Sequence, residues 1–209
     1  MEKIILLSFC ISISTVIFAQ GAEWGVKTGL NLASQTTDAF SDKVRSGIYA
    51  GLFAEHRFNK FFGIQGELLY SMMGSRIQYH KSYSLEYGDY DGYGPWGDIT
   101  DTYKTDYIVL PVLAKLYVLK NLSLDLGPQF GYMVSAKIKT KAEGLKEFSS
   151  NYYDIVNRKF DVSFGMGLSY RLNSKIDISG RCNFGLTDIS DYSKLKNNVI
   201  QLGVGYRIK

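Results

Sequence analysis

Proline and cysteine are nearly missing from this chain, at 3 and 2 among 209 residues. Cys10 falls in an apolar N-terminal stretch that reads as a leader, so Cys182 is left without a partner and an internal disulfide is excluded. After residue 18 no stretch approaches the ~18 uninterrupted apolar residues of a membrane helix, and a helical span is excluded too. Charge of one sign is also scarce. The net charge of +4 is spread along the chain, with no basic stripe of the kind that nucleic acid requires.

What the sequence does have begins at its N-terminus. Met1-Glu2-Lys3 precedes an apolar run from Ile4 to Phe18, broken only by small and hydroxyl residues, and then Ala19-Gln20. A basic start, a short apolar run and a small residue at the cut describe a secretory signal peptide. The run falls short of the roughly 20 residues of a spanning helix. A lipoprotein reading fails, because Cys10 comes early and Phe9 stands where a small residue belongs. Residues 1–19 are therefore expected to be removed, and residues 20–209 to form one exported domain.

That domain carries a period of two. Even positions are apolar through Leu122, Leu124, Leu126, Phe130, Tyr132, Val134, Ala136 and Ile138, while the odd neighbours are mostly small or polar. Phe160 to Tyr170, Ile176 to Phe184 and Ile200 to Ile208 repeat the pattern. Successive side chains of a strand point to opposite faces, so each segment has one apolar face and one small or polar face. Trp24 to Leu32, Ile48 to Phe58, Phe62 to Met72 and Ile108 to Val118 alternate less cleanly and bring the expected count to eight. Short connections near Asn59-Lys60, Lys120-Asn121 and Asn173-Ser174 alternate with long ones over roughly 34–45, 80–103, 140–157 and 187–197. The expected fold is all-β: an eight-stranded antiparallel transmembrane β-barrel with short periplasmic turns and long extracellular loops.

A soluble lipocalin-like barrel or a β-sandwich would alternate in the same way but bury the apolar face inward. Three features favour the membrane. The polar face is rich in Gly and Ser with charges of both signs, which suits a narrow lumen. Aromatics gather at strand ends (Trp24, Phe58, Phe61, Phe62, Tyr103, Tyr107, Tyr117), as interface girdles require. The sequence also ends one residue past its last strand.

The C-terminal Gln201-Leu202-Gly203-Val204-Gly205-Tyr206-Arg207-Ile208 resembles the β-signal read by the barrel-assembly machinery, with Lys209 as a departure. More widely, the domain resembles the PorT-like outer-membrane β-barrel family of Bacteroidetes. The resemblance runs through Gly29-Leu30-Asn31, Phe61 to Ser71, Leu110-Pro111-Val112-Leu113-Ala114-Lys115, Gly127-Pro128-Gln129-Phe130-Gly131-Tyr132 and Phe164 to Leu168. It implies a barrel in the outer membrane, and with it three partners: outer-membrane lipid, lipopolysaccharide and, during insertion, the assembly machinery. The family takes its name from a secretion component, and it supplies no active site.

Odd parity assigns Lys27, Arg57, Lys115, Arg171, Arg181 and Arg207 to the lumen with Glu55, Glu67, Asp125, Asp161 and Asp177. Because buried charges persist only when paired, an ion-pair network is expected, with a narrow charged pore as the competing reading. Prolines 111 and 128, which cost a ladder hydrogen bond, are places where a bulge could shift this parity. The longest loop interleaves Tyr83, Tyr87, Tyr90, Tyr93 and Trp96 with Asp89, Asp91, Asp98 and Asp101, a composition suited to a glycan or envelope protein partner. Asp89-Tyr90-Asp91-Gly92 lacks the remaining ligands of a calcium loop. His80-Lys81-Ser82 looks like the His-x-Ser pair of outer-membrane lipid A deacylases, but no orienting carboxylate stands out beyond Glu86. His56 is expected at the interface. No enzyme, cofactor or metal is expected. The favoured function is a non-enzymatic anchor or recognition component working through outer loops, with secretion as the setting that the family name suggests; a small solute pore is the alternative.

Overall fold

The computed structural model describes residues 21–36, 43–82, 96–142, 148–153, 158–188 and 196–209. Residues 1–19, expected to be a leader, lie outside this set. The described residues form nine antiparallel strands: β1 (Glu23–Thr36), β2 (Lys43–Arg57), β3 (Phe62–Ser82), β4 (Trp96–Tyr117), β5 (Leu122–Ala142), β6 (Phe148–Asn151), β7 (Phe160–Arg171), β8 (Ile176–Gly185) and β9 (Lys196–Arg207). Pairing runs β4-β3-β2-β1-β9-β8-β7-β5, and β4 also pairs with β5, so eight strands close into a ring. The ninth, β6, lies in the stretch expected to be a loop and pairs with the far end of β5. At the seam, Trp24 N donates to Lys209 O (2.9 Å) and Ile208 N to Trp24 O (2.9 Å). No strand of the ring is left as a bare edge where it spans.

Asparagine sets two of the three short turns. Asn59 Oδ1 accepts from Phe61 N (2.8 Å) and Phe62 N (2.9 Å), and Asn173 Oδ1 accepts from Lys175 N (2.8 Å) and Ile176 N (2.9 Å). Each side chain thus completes a turn that the backbone alone would leave unsatisfied.

Alternation decides what faces where. Leu30, Ile48, Leu52, Leu68, Ile108, Phe164, Leu168, Leu202 and Val204 all point outward and are exposed. So extensive an apolar surface is untenable in water, and this band is where hydrocarbon belongs. Tyr70, Phe130, Tyr132 and Phe160 ring it toward the long hairpins, and Phe58, Phe61, Phe62 and Tyr206 toward the short turns. Tyr107 and Tyr117, expected in a girdle, instead face inward on odd positions and are buried.

Two further expectations change. The register runs through Pro111 and Pro128 without a shift; the irregularity in the β4–β5 pairing lies where Tyr107 pairs Met133 while Asp106 pairs Ser135. Val134 is the extra residue, and past it Ala136 is buried while Lys137 is exposed. The long connections also shrink, because β3, β4 and β5 run 21, 22 and 21 residues. A spanning strand needs only about 9–11. These strands and β6 therefore stand above the rim as a sheet.

Close approach fixes one glycine pair. Gly29 pairs with both Tyr49 and Gly203, and the buried Tyr49 ring lies across the two glycines. A Cβ on Gly203 would sit 1.9 Å from Tyr49 Oη, and one on Gly29 2.7 Å from its ring. Gly203→Ala is expected to lower unfolding stability in lipid vesicles by about 1–3 kcal/mol through overpacking. Adding Tyr49→Leu should recover part of the loss. A Gly203→Ala barrel as stable as the parent would contradict this packing.

Candidate functional site

The inward face is built in layers, and the lowest centres on Glu55. Its carboxylate, 1% exposed, takes Lys115 Nζ (3.3 Å), Arg171 Nη2 (3.1 Å) and Arg207 Nη2 (2.7 Å), and accepts from the Tyr117 hydroxyl. Arg171 and Arg207 also engage Glu23 and Asp177, the latter at 3.5 and 2.8 Å. Lys115 reaches Asp125 (3.6 Å), which also accepts from Ser123 (2.7 Å) and Ser169.

The next layer centres on Glu67. Lys27 Nζ lies 2.9 Å from it, and Arg181 grips it with two nitrogens at 2.7 and 3.0 Å. Gln65 joins the layers, accepting from Lys115 (2.9 Å) and donating to Glu67. The fork of Arg181 matches a carboxylate in plane, a geometry that a lysine lacks. Cavities between these side chains hold about 10 Å³ each, close to one water.

Above the charges lies a neutral polar layer. Asn31 donates to Ser71 (2.8 Å), Gln201 to Asn31 (3.0 Å) and Asn183 to Gln201 (2.9 Å). Above that, Ala33, Tyr49, Leu69, Met73, Tyr107, Val109, Met133, Ala136 and Val199 form an apolar cluster, and Tyr152 and Tyr153 pack against it. The lumen thus changes from charged to polar to largely apolar toward the long hairpins, where Arg45 and Asp161 are also buried.

Of the eleven residues assigned to the lumen from the sequence, the structure joins Lys27, Glu55, Glu67, Lys115, Asp125, Arg171, Asp177, Arg181 and Arg207 through ion pairs. Two stand apart. Asp161 accepts from Thr187 (3.3 Å) near the other end. Arg57 sits at a turn, its guanidinium 3.7 Å over the Tyr117 ring and donating to Lys60 O (2.6 Å). Glu23 was missed, although odd parity on the first strand could have found it. Tyr117 was missed because its aromatic ring suggested an interface.

The other candidates are less gathered. Tyr83, Tyr87, Tyr90 and Tyr93 lie outside the described residues, as do Asp89 and Asp91. Trp96 opens β4 opposite Ser82, and His80 is in register with Asp98. His56 lies edge-on to Phe58 at 4.8 Å, at the short-turn end.

Comparison with known proteins agrees with this architecture. The model of a family described as outer membrane protein beta-barrel domain matches residues 18–191. No curated protein matches. Among solved structures, Neisserial surface protein A is 13% identical, with 90% of this chain and 99% of that chain covered at a TM-score of 0.50. The attachment invasion locus protein Ail of Yersinia pestis, solved with the heparin analogue sucrose octasulfate, is 18% identical, with 90% and 100% covered at 0.49. The outer membrane protein OprG of Pseudomonas aeruginosa is 13% identical, with 90% and 94% covered at 0.34. Likeness at these identities concerns the fold.

Glu67→Gln leaves Lys27 and Arg181 buried around a neutral amide. A loss of about 3–5 kcal/mol in unfolding free energy is expected, the range for breaking a buried pair from one side. Glu67→Gln with Arg181→Met should be less damaging than Glu67→Gln alone. Equal stability of Glu67→Gln and parent would show that the carboxylate does not hold this layer together.

Proposed function

The chain belongs to the outer membrane protein beta-barrel domain family, and from that premise we propose that its barrel is a closed anchor whose work is done by the surface beyond the rim. It resides in the outer membrane, as its family does. The observation that carries the proposal is the contrast between the two ends of β3, β4 and β5. Inside the ring their residues fill the lumen; beyond it the same strands continue as a sheet connected by the Tyr-rich segment 83–95. Strand beyond the spanning length adds nothing to anchoring, so its use lies in contact with something outside. By the rule of such barrels, short turns face the periplasm and the long hairpins face outward.

The lumen gives physical support to an anchor over a pore. Solute passage would require moving Arg171 and Arg207, each shared between carboxylates, and Arg181, held by Glu67, at several kcal/mol per broken buried pair. Within the family we also infer a PorT-like affiliation, on the strength of the Leu110-Pro111 and Gly127-Pro128-Gln129-Phe130-Gly131-Tyr132 segments. Export through residues 1–19 and recognition of the C-terminal strand by the assembly machinery belong to the same proposal. The partner at the outer loops is read as an envelope protein or glycan that meets the aromatic segment.

The test is electrical first. Purified protein in planar bilayers should show no conductance steps above the bare membrane. Deleting residues 83–95 should leave folding intact, read as heat-modifiable mobility, while removing any stoichiometric partner captured from gently solubilised membranes. Regular conductance steps from the folded parent would replace the anchor with a pore.

A further inference from the structure

We propose that the outward face of β3, β4 and β5, just above the lipid-facing band, binds the phosphorylated headgroups of the glycolipid that surrounds the barrel. The inference rests on the barrel and its orientation alone and is independent of any partner at residues 83–95.

The register lays out the site. Tyr70, Ile108 and Tyr132 form one row of the outward apolar band across the three strands. Further out, Lys104 pairs with both Gly74 and Lys137, Thr102 with Arg76 and Lys139, and Thr100 with Gln78 and Lys141. These three rows hold five cations and no carboxylate. On β6, Asn151 and Ser149 continue the first two rows with neutral polar residues. Asp106 and Asp98, on β4, bound the rows below and above. A hollow of about 410 Å³ lies on this face, lined by Arg76, Lys104, Lys139 and Lys141 with Thr100 and Thr102 among others.

The bulge builds the site. Below Val134 the odd residues of β5 face the lumen, so unbroken alternation would turn Lys137, Lys139 and Lys141 inward and Ala136 and Ile138 toward lipid. The one extra residue reverses this. Re-aiming side chains is what a bulge does at a barrel rim. Three lysines spaced by two become one outward column only because of it.

Position selects the occupant. Lys104 is four residues beyond Ile108, about 13 Å along the strand. With a strand tilt near 40° this stands roughly 10 Å above the band along the membrane normal. A soluble polyanion would have no reason to meet a face continuous with the lipid-facing one. The sugar-borne phosphates of an outer-leaflet glycolipid lie at that height and on that side, and their charge complements the cations of these rows. Basic residues at an anionic membrane surface contribute about 1 kcal/mol each.

The experiment uses the full folded barrel in phospholipid nanodiscs doped with bisphosphorylated lipid A, read by the glycolipid retained per barrel in native mass spectrometry. Wild type should retain it, with retention falling steeply as salt rises. K137Q/K139Q/K141Q should lose about a hundredfold in affinity, the product of three such contributions. The matching triple arginine variant should keep binding, and K60Q/K120Q/K175Q at the opposite end should be unaffected. Heat-modifiable mobility identifies any variant that has not folded. Three results would overturn the proposal: equal retention by parent and triple glutamine variant, equal retention of dephosphorylated lipid A, or retention of soluble heparin in place of lipid A.

Discussion

Hydrocarbon offers no partner to a backbone amide or carbonyl, and every other feature of this chain follows from that constraint. A sheet can cross a bilayer only when each strand's hydrogen bonds are met by its neighbours, which requires a ring with no edge. Here the ring closes where β1 meets β9 and β4 meets β5. Closure then imposes alternation, because each strand has lipid on one side and an enclosed space on the other. Eight strands make that space just wide enough for side chains. Charges placed there must find each other, and Glu55 and Glu67 are the points at which they do.

Inside and outside are thus solved by different physics. Outward, apolar side chains need only be apolar, and Leu, Ile, Val, Phe and Met are used almost interchangeably. Inward, identity matters. Arg181 fits Glu67 through two nitrogens, Gln65 can donate to one charge layer while accepting from the other, and Tyr49 fits only because Gly29 and Gly203 carry no side chain. A filled interior leaves the outer end of the molecule to act, and the longest strands are at that end.

Much of the fold was legible because a period of two is a direct image of the pleat. The segments that became β7 and β8 were read nearly to the residue, β9 was read from Ile200 where it begins at Lys196, and the turns at Asn59 and Asn173 were placed as short gaps between alternating segments. The direction of the apolar face was harder, since a soluble barrel writes the same pattern; only the ring with its exposed band decides it. The bulge at Val134 left no mark because Ala136 and Ile138 continue the apolar alternation while their faces exchange. The outer part of β4 and the last residues of β3 and β5 read as loop because strands in water need no apolar face, and Asp, Thr, Lys and Gly there resemble turn composition. The lumen charges followed from parity, whereas Glu23 lay at the first residue of a strand where parity had barely begun.

Water is kept from both faces of the spanning strands, from one by lipid and from the other by packed side chains. A cysteine accessibility scan along β8 and β9 tests it directly, starting with native Cys182 on the outward face between Met166 and Ile200. Single cysteines at alternate positions would be challenged in vesicles with a charged maleimide and a lipid-soluble one. Even positions are expected to react only with the lipid-soluble reagent, and odd positions to resist both until the barrel is unfolded. Rapid reaction of odd positions with the charged reagent would mean a water-filled lumen, and the same reaction at even positions would mean that this face does not meet lipid.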